Sequence, residues 1–275
     1  MFTLSHHPNT IPKFRRLLFG LTLIAFASSL WAAKKPPVEY SVAEVFVELN
    51  NTDEDLGIHA LIDGEPWKTL EIKSPDGKRL LKTRVSNQLK KQGLTEFFFE
   101  SAEPNFEDLS PAEFFDRFAE GLYQVKGKSL AGDKLQSSTL FTHNIPAPPV
   151  TRLNGMTDIA TECDEDEEGY DPLELTTPVT ISWDAVTSSH PDLGGLPVNP
   201  VDIHNYEVVV EIELEIDGEE FASVLSVILP PDQLSVTLPD DFMNQADGHV
   251  KYEVLAREAS YNQTAVESCF EVEED

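Results

Sequence analysis

Two stretches of the chain concentrate oxygen-bearing side chains. Asn51-Thr-Asp53-Glu-Asp55-Leu-Gly57 sets Asn51, Asp53 and Asp55 at alternate positions beside a glycine. Asp164-Glu-Asp166-Glu-Glu168-Gly169 is denser, with Asp171 and Glu174 just beyond it. Loops of this kind suit Ca2+, a hard cation that takes about six to eight oxygen ligands. The match to a helix–loop–helix calcium site is poor, because the glycine falls one position late and Ile62 stands where the bidentate Glu belongs. The alternative for the first stretch is a polar turn between strands, with Asn and Asp as turn formers. For the second it is a solvated loop, since consecutive like charges repel. Calcium is the one cofactor the sequence suggests, and a chain with no cofactor is the competing expectation.

Other catalytic chemistry lacks a signature. His59, His143, His190, His204 and His249 are scattered, without H-x-H or H-E-x-x-H spacing. There is no G-x-S-x-G and no phosphate-cradling glycine loop. With 49 acidic residues, a carboxylate pair at glycosidase distance cannot be picked out by position. The expectation is a chain that is not an enzyme, with a hydrolase built on the first domain as one alternative.

The best candidate for binding is the loop Val186–Asp202, which contains Ser188-Ser-His190-Pro-Asp192-Leu193-Gly-Gly-Leu196. Ser188, His190 and Asp192 would supply polar contacts, and Leu193 and Leu196 apolar area, on a loop held by a rigid scaffold. The competing reading is an ordinary flexible insertion.

Cys163 and Cys269 are the only cysteines. In an exported chain that count suggests one disulfide, closing a long loop and contributing about 4–5 kcal/mol on the chain-entropy model. Two buried thiols are the alternative. Export itself is read from residues 1–33. Lys13, Arg15 and Arg16 precede an uncharged apolar run, Leu17 to Leu30, and small residues follow up to Ala32 and Ala33. That order is a secretory signal peptide, and the run is short for a spanning helix. An uncleaved N-terminal anchor is the alternative. No later run approaches spanning length, so no membrane insertion is expected after cleavage.

The formal charge is −29, and removing residues 1–33 takes away three cations (Lys13, Arg15, Arg16) and no acid. A net surface of that sign disfavours nucleic acid and anionic membranes, which bind through Lys/Arg patches.

These groups sit on a strand-rich frame. Ile145-Pro-Ala-Pro-Pro149 is a Pro-rich linker between a domain at 38–144 and a second at 150–272, the latter with an acidic insertion at 162–174. In the first domain, Val42–Leu49, Ile58–Ile62, Lys68–Lys73, Leu80–Val85, Leu122–Lys126 and Leu135–His143 read as strands. Asp63-Gly64 and Ser74-Pro-Asp-Gly77 read as turns. Ser110-Pro-Ala-Glu113 is an N-cap and capping box for a helix near 111–120, ended by Gly121. In the second domain Glu207–Ile216 comes close to strict alternation of apolar and acidic residues after its first few positions, so one face is buried and the other acidic, and Asp217-Gly218 reads as a hairpin turn.

Trp183 in an early strand, Tyr206 in a middle one, Leu234 and Leu238, and Tyr252 with Val254 and Ala256, preceded by Pro146, Pro148 and Pro149, resemble the core pattern of a fibronectin type III module. The resemblance covers under half of the chain. It departs from the pattern in the long acidic insertion between Pro149 and Trp183 and in the long loop from Trp183 to Tyr206. It implies architecture and a binding or spacing role, and carries no catalytic residue. The expected fold is all-β: two tandem β-sandwiches of immunoglobulin/fibronectin type, the first with an inserted helix. The expected function is an exported, non-catalytic binding or spacer protein of the bacterial envelope, periplasmic or at the cell surface, whose partner is a protein or glycan. A structural or accessory subunit of an envelope assembly, pairing through an edge strand, is a further alternative.

Overall fold

The computed structural model describes residues 35–272 except Asp158, Glu165, Asp166, Glu168, Asp217, Gly218 and Asp247. The expected signal peptide and the Asp217-Gly218 turn lie outside the described residues. Among the described residues, fourteen strands and three short helices follow in chain order. They are β1 (Val42–Asn50), β2 (Asp55–Lys73), β3 (Arg79–Arg84), α1 (Leu89–Gln92), β4 (Leu94–Glu100), α2 (Pro111–Arg117), β5 (Gly121–Ser129), β6 (Lys134–Phe141), β7 (Thr151–Leu153), β8 (Leu173–Leu175), β9 (Thr180–Trp183), β10 (Ile203–Ile216), β11 (Glu219–Leu229), β12 (Ser235–Thr237), α3 (Asp240–Met243), β13 (His249–Glu258) and β14 (Gln263–Val272). Among the described residues, no helix is long and apolar enough to cross a membrane.

The fold is all-β and sandwich-like. In the first half, one strand serves both layers. The N-terminal part of β2 pairs with β1 and β4, and its C-terminal part pairs with β3 and β5. The register shifts between Asp63 and Trp67, so Asp63-Gly64 is a bend within a strand; the expected turn there is corrected. A one- or two-residue irregularity lets a long strand change layer without losing its ladder. Val45, Val47, Leu49, Ile58, Ile62, Leu70, Ile72, Tyr123 and Val125 fill the space between the layers. Helix α2 forms as its signals dictate. Ser110 accepts from the Glu113 amide and donates from Oγ to Glu113 Oε2 at 3.0 Å, and Phe114 and Phe115 are buried. It ends at Arg117, and Gly121 opens β5 instead of closing the helix.

The second half sets β11-β10-β13-β14 against a three-stranded sheet ordered β12-β9-β7. Trp183, Tyr206, Val208, Val210, Ile212, Tyr252, Val254 and Phe270 pack between them. The residues that carried the fibronectin resemblance are largely buried here, as the core of any such sandwich requires.

The two cores are separate clusters, but the sheet is continuous. Strand β1 runs parallel to β14, with Glu48 opposite Gln263 and Asn50 opposite Ala265. The strand order therefore reads β11-β10-β13-β14-β1-β2-β5-β6 across both halves, and Pro36–Asp275 forms one unit. Around Ile145–Pro149 the chain is held as well. Thr264 donates from Oγ1 to the Pro146 carbonyl at 2.7 Å, and the Ala147 amide donates to the Ser188 carbonyl at 2.9 Å.

Candidate functional site

The loop expected to bind a partner turns its two leucines inward. Leu193 is only 2 % exposed and belongs to the core of the first half, and Leu196 packs against the same core. Gly194 sits so close to α2 that an added Cβ would lie 2.9 Å from the Ala112 nitrogen. His190 Nε2 lies 3.0 Å from Asn51 Oδ1, and burial lowers its pKa below the ordinary histidine value. Ser188 is half-buried and forms a bridge with Pro200. The apolar area assigned to Leu193 and Leu196 is thus used inside the molecule, and that part of the expectation is corrected. The hydrophobic effect gives a Leu in a Gly-rich loop no reason to stay in water when a core lies within reach. Asp192 and the run Pro197–Pro200, with Val198 55 % exposed, remain on the surface.

The first oxygen-rich stretch forms a turn capped by Asn50. The Asn50 carbonyl oxygen Oδ1 accepts from the amides of Thr52 at 3.0 Å and Asp53 at 3.3 Å, and Nδ2 donates to Asp53 at 3.0 Å. Thr52 Oγ1 ties the turn to β14 through the Glu267 amide at 2.8 Å. Asp55 lies at the start of β2, where burial, with Glu103 and Asp53 nearby, raises its carboxyl to about 6. In the second stretch, Asp164 is exposed, while Asp166 and Glu168 lie outside the described residues. Among the described residues, no group of three His, Cys, Asp or Glu side chains converges as a metal site would.

What the fold does bring together is Asp53 and Asp164, one from each acidic stretch, on a cleft of about 440 Å³. Its floor is the outward face of β10, β13 and β14, contributing Val209, Glu211, Lys251, Glu253 and Glu267. Its wall is Thr161–Asp164. That wall is pinned by the Cys163–Cys269 disulfide and by Ser268, which donates to the Ala160 carbonyl at 2.7 Å. The expected disulfide is therefore present, and it tethers the edge of the acidic insertion.

Glu253 stands opposite Glu267 across the β13–β14 ladder. Burial, and then the charges of Glu48, Glu267, Glu207 and Asp53, raise its carboxyl to about 8. It holds a proton at neutral pH, because ionising it would add charge to a crowded, half-buried acidic surface. Glu267 and Glu48 are raised in the same direction, chiefly by burial.

Further along the same face, His59 is 3 % exposed, with Nε2 2.7 Å from Glu103 Oε1 and Nδ1 3.7 Å from Glu48 Oε2. Burial pulls its pKa down, but the Glu103 hydrogen bond and the carboxylates of Glu48, Glu103 and Glu100 outweigh that, and the net shift is upward. Rings of Phe46 and Phe98 flank it at 5.3 and 5.9 Å. The other histidines of the described residues are likewise engaged, His143 with the Phe118 carbonyl at 2.7 Å, His249 with the Tyr170 hydroxyl at 2.9 Å and His204 against the Tyr261 ring.

Sequence reasoning missed Glu253, Glu267 and Glu48. The acidic alternation of β10 was legible, but their meeting depends on the β13–β14 and β1–β14 pairings. The arrangement offers cation attraction and proton storage.

No family model matches the chain. No curated protein matches it. Among solved structures, it is similar to a tetra-tandem repeat in the extending region of a large adhesion protein, at 12% identity and TM-score 0.25, covering 84% of this chain and 50% of that one. It is similar to a structure of a 1.5-MDa bacterial ice-binding adhesin at 12% identity and TM-score 0.22, covering 88% and 67%. It is also similar to the BSP domain of a biofilm-associated protein at 10% identity and TM-score 0.24, covering 86% and 30%. The chain thus spans half of the first of these structures. Scores of this size assign no function to it.

Proposed function

We propose that the protein is an exported, non-catalytic spacer or binding module of the bacterial envelope. The observation that supports this best is the continuous ladder from β11 to β6 through the β1–β14 pairing, reinforced by Leu193 and Leu196 of the loop Val186–Asp202, which pack on the core of the first half. Two sandwiches joined in this way form a stiff body that can hold a surface at a fixed distance and orientation. The Cys163–Cys269 bridge and the apolar run after Lys13, Arg15 and Arg16 fit an oxidising, exported location. Contact with a protein or glycan target would fall on Asp192 and Val198, the exposed crown of the loop.

The test is in-cell crosslinking of the tagged protein in its native host, read by mass spectrometry. A dominant envelope partner that is lost on Asp192→Ala/Val198→Ala supports recognition at the crown. A dominant partner that survives the double substitution moves the contact elsewhere. A protein that crosslinks to nothing beyond background contradicts the binding role.

A second reading, an accessory subunit that accepts a partner strand, is favoured by β11. This edge strand carries no charge from Phe221 to Leu229, and it exposes Val224 and Ile228. On that reading the amides of β11 become protected from hydrogen exchange when the partner is bound.

A further inference from the structure

The net charge hides a strong separation of charge. Among residues 150–275 only Arg152, Lys251 and Arg257 are basic. The cations gather instead on the outward face of β3, β2, β5 and β6. The register places Arg84, Thr69, Lys128 and Lys134 in one row. Lys82, Glu71, Lys126 and Gln136 form the next, and Arg79, Lys73, Gln124 and Ser138 a third. Glu71 is the one acid in these rows. It pairs with Arg79, and that hydrogen bond, with Lys73 and Lys82 nearby, holds its carboxyl below the ordinary value. Among the described residues, no ion pair engages Lys73, Lys82, Arg84, Lys126, Lys128 or Lys134. At the end of the rows Leu122 and Leu140 stand opposite each other, 55 % and 53 % exposed.

The outward face of β10 and β11 is the counterpart. Glu207, Glu211 and Glu213 line β10, with Glu253 beyond, and Lys251 is the only base there, 3.6 Å from Glu213. Beside them, Val224 pairs with Glu211 and Ile228 with Glu207; these two apolar side chains are 55 % and 66 % exposed. Both faces are β-lattices, so their side chains repeat every second residue, about 6.8 Å along a strand and about 4.8 Å between strands. A column of cations ending in two exposed Leu thus matches a column of carboxylates flanked by two exposed aliphatic residues.

We propose that copies of this chain associate head to tail, the basic face of β3–β2–β5–β6 of one copy docking on the acidic face of β10–β11 of the next. The two faces differ, so the contact is heterologous, and repetition of it builds a ring or an open chain of copies instead of a two-fold dimer. Net repulsion between copies is screened beyond about 8–10 Å at ordinary salt, so the local match decides the contact. The inference goes beyond the spacer reading and does not depend on which target, if any, the loop crown binds.

The experiment is sedimentation velocity on the purified full chain at low and high salt. The proposal expects concentration-dependent association at about 0.1 M NaCl, where net repulsion is screened beyond about 10 Å, and its loss toward about 1 M, where the facing charges are screened as well. Lys126→Glu/Lys128→Glu takes four charges off the basic face and puts two acids at its centre, and Glu211→Lys/Glu213→Lys puts two cations on the acidic face. Each variant alone should associate about tenfold more weakly or not at all, while an equimolar mixture of the two associates again. That rescue separates docking from misfolding, and far-ultraviolet circular dichroism confirms that each variant is folded. A wild-type chain that stays monomeric at low salt, or association that neither variant changes, overturns the proposal. If the monomeric chain instead binds dextran sulfate through Lys126 and Lys128, the occupant of the basic face is a polyanion and self-docking is rejected.

Discussion

Asn262 Oδ1 accepts the Val47 amide hydrogen at 2.9 Å, across 215 positions of sequence, inside a site where Asn262 is fully buried. The same side chain donates to the Thr142 carbonyl and to Thr142 Oγ1, each at 3.0 Å. One amide thus joins β1, the turn before β14 and the segment after β6. Asn262→Ala should leave the Val47 amide and the Thr142 carbonyl unpaired. The expected loss is about 2 kcal/mol, or about 4–8 °C in Tm by thermal unfolding. A Tm within a degree of wild type would remove Asn262 from the joint.

Leu193 and Asp192 are neighbours in sequence with opposite fates, one in the core of the first half and the other exposed. Leu193→Ala should cost about 2–5 kcal/mol through lost burial and the cavity left behind. Asp192→Ala should change stability by less than about 0.5 kcal/mol. Chemical denaturation of the two variants checks the pair. Equal effects would mean that the loop does not dock.

The Cys163–Cys269 bridge closes a loop with a sequence separation of 106. Replacing both cysteines by Ser should lower stability by about 4–5 kcal/mol on the chain-entropy model. It should also free the Thr161–Asp164 wall and let water reach Glu253. The Glu253 carboxyl should then titrate closer to its ordinary value of about 4.3, a change that carboxyl-carbon NMR reads directly. An unchanged Glu253 titration would show that burial under this wall is not what raises it.

The acidic face also predicts how stability responds to pH. Glu253 is raised to about 8 and Asp55 to about 6, while Glu48, Glu267 and His59 are raised as well. For each, the native state holds protons that the unfolded chain has lost, so stability falls as pH rises through the interval between the two pKa values. The protein should be most stable near pH 5 and lose stability steadily toward pH 8.5. Glu253→Gln, which keeps the shape of the neutral acid, should raise the Tm at pH 8.5 and do little at pH 5. A Tm that rises from pH 5 to pH 8.5 would contradict this reading.

Local signals were legible where they act over a few residues. Ser110 with Glu113 capped its helix, Ser74 to Gly77 turned its hairpin with Gly77 at φ +81°, and the acidic alternation of β10 put Val210 and Ile212 in the core. Asp63-Gly64 misled because the same residues that favour a turn also permit a bend within a strand, and only the partners β4 and β5 decide between them. Leu193 misled because a hydrophobic residue between Gly and Asp gives no hint that a core from another part of the chain lies beside it. The Glu253–Glu267 pair and the basic rows of β3, β2, β5 and β6 are properties of register, which follows from long-range pairing and is invisible to periodicity alone.

The central claim is that the two sandwiches act as one stiff body through β1–β14 and the docked loop. Differential scanning calorimetry of the oxidised protein tests it most directly. The account predicts a single transition with a calorimetric enthalpy equal to the van't Hoff enthalpy. Two separated transitions, or one whose calorimetric enthalpy is about twice the van't Hoff value, would show two independently melting domains and contradict the claim.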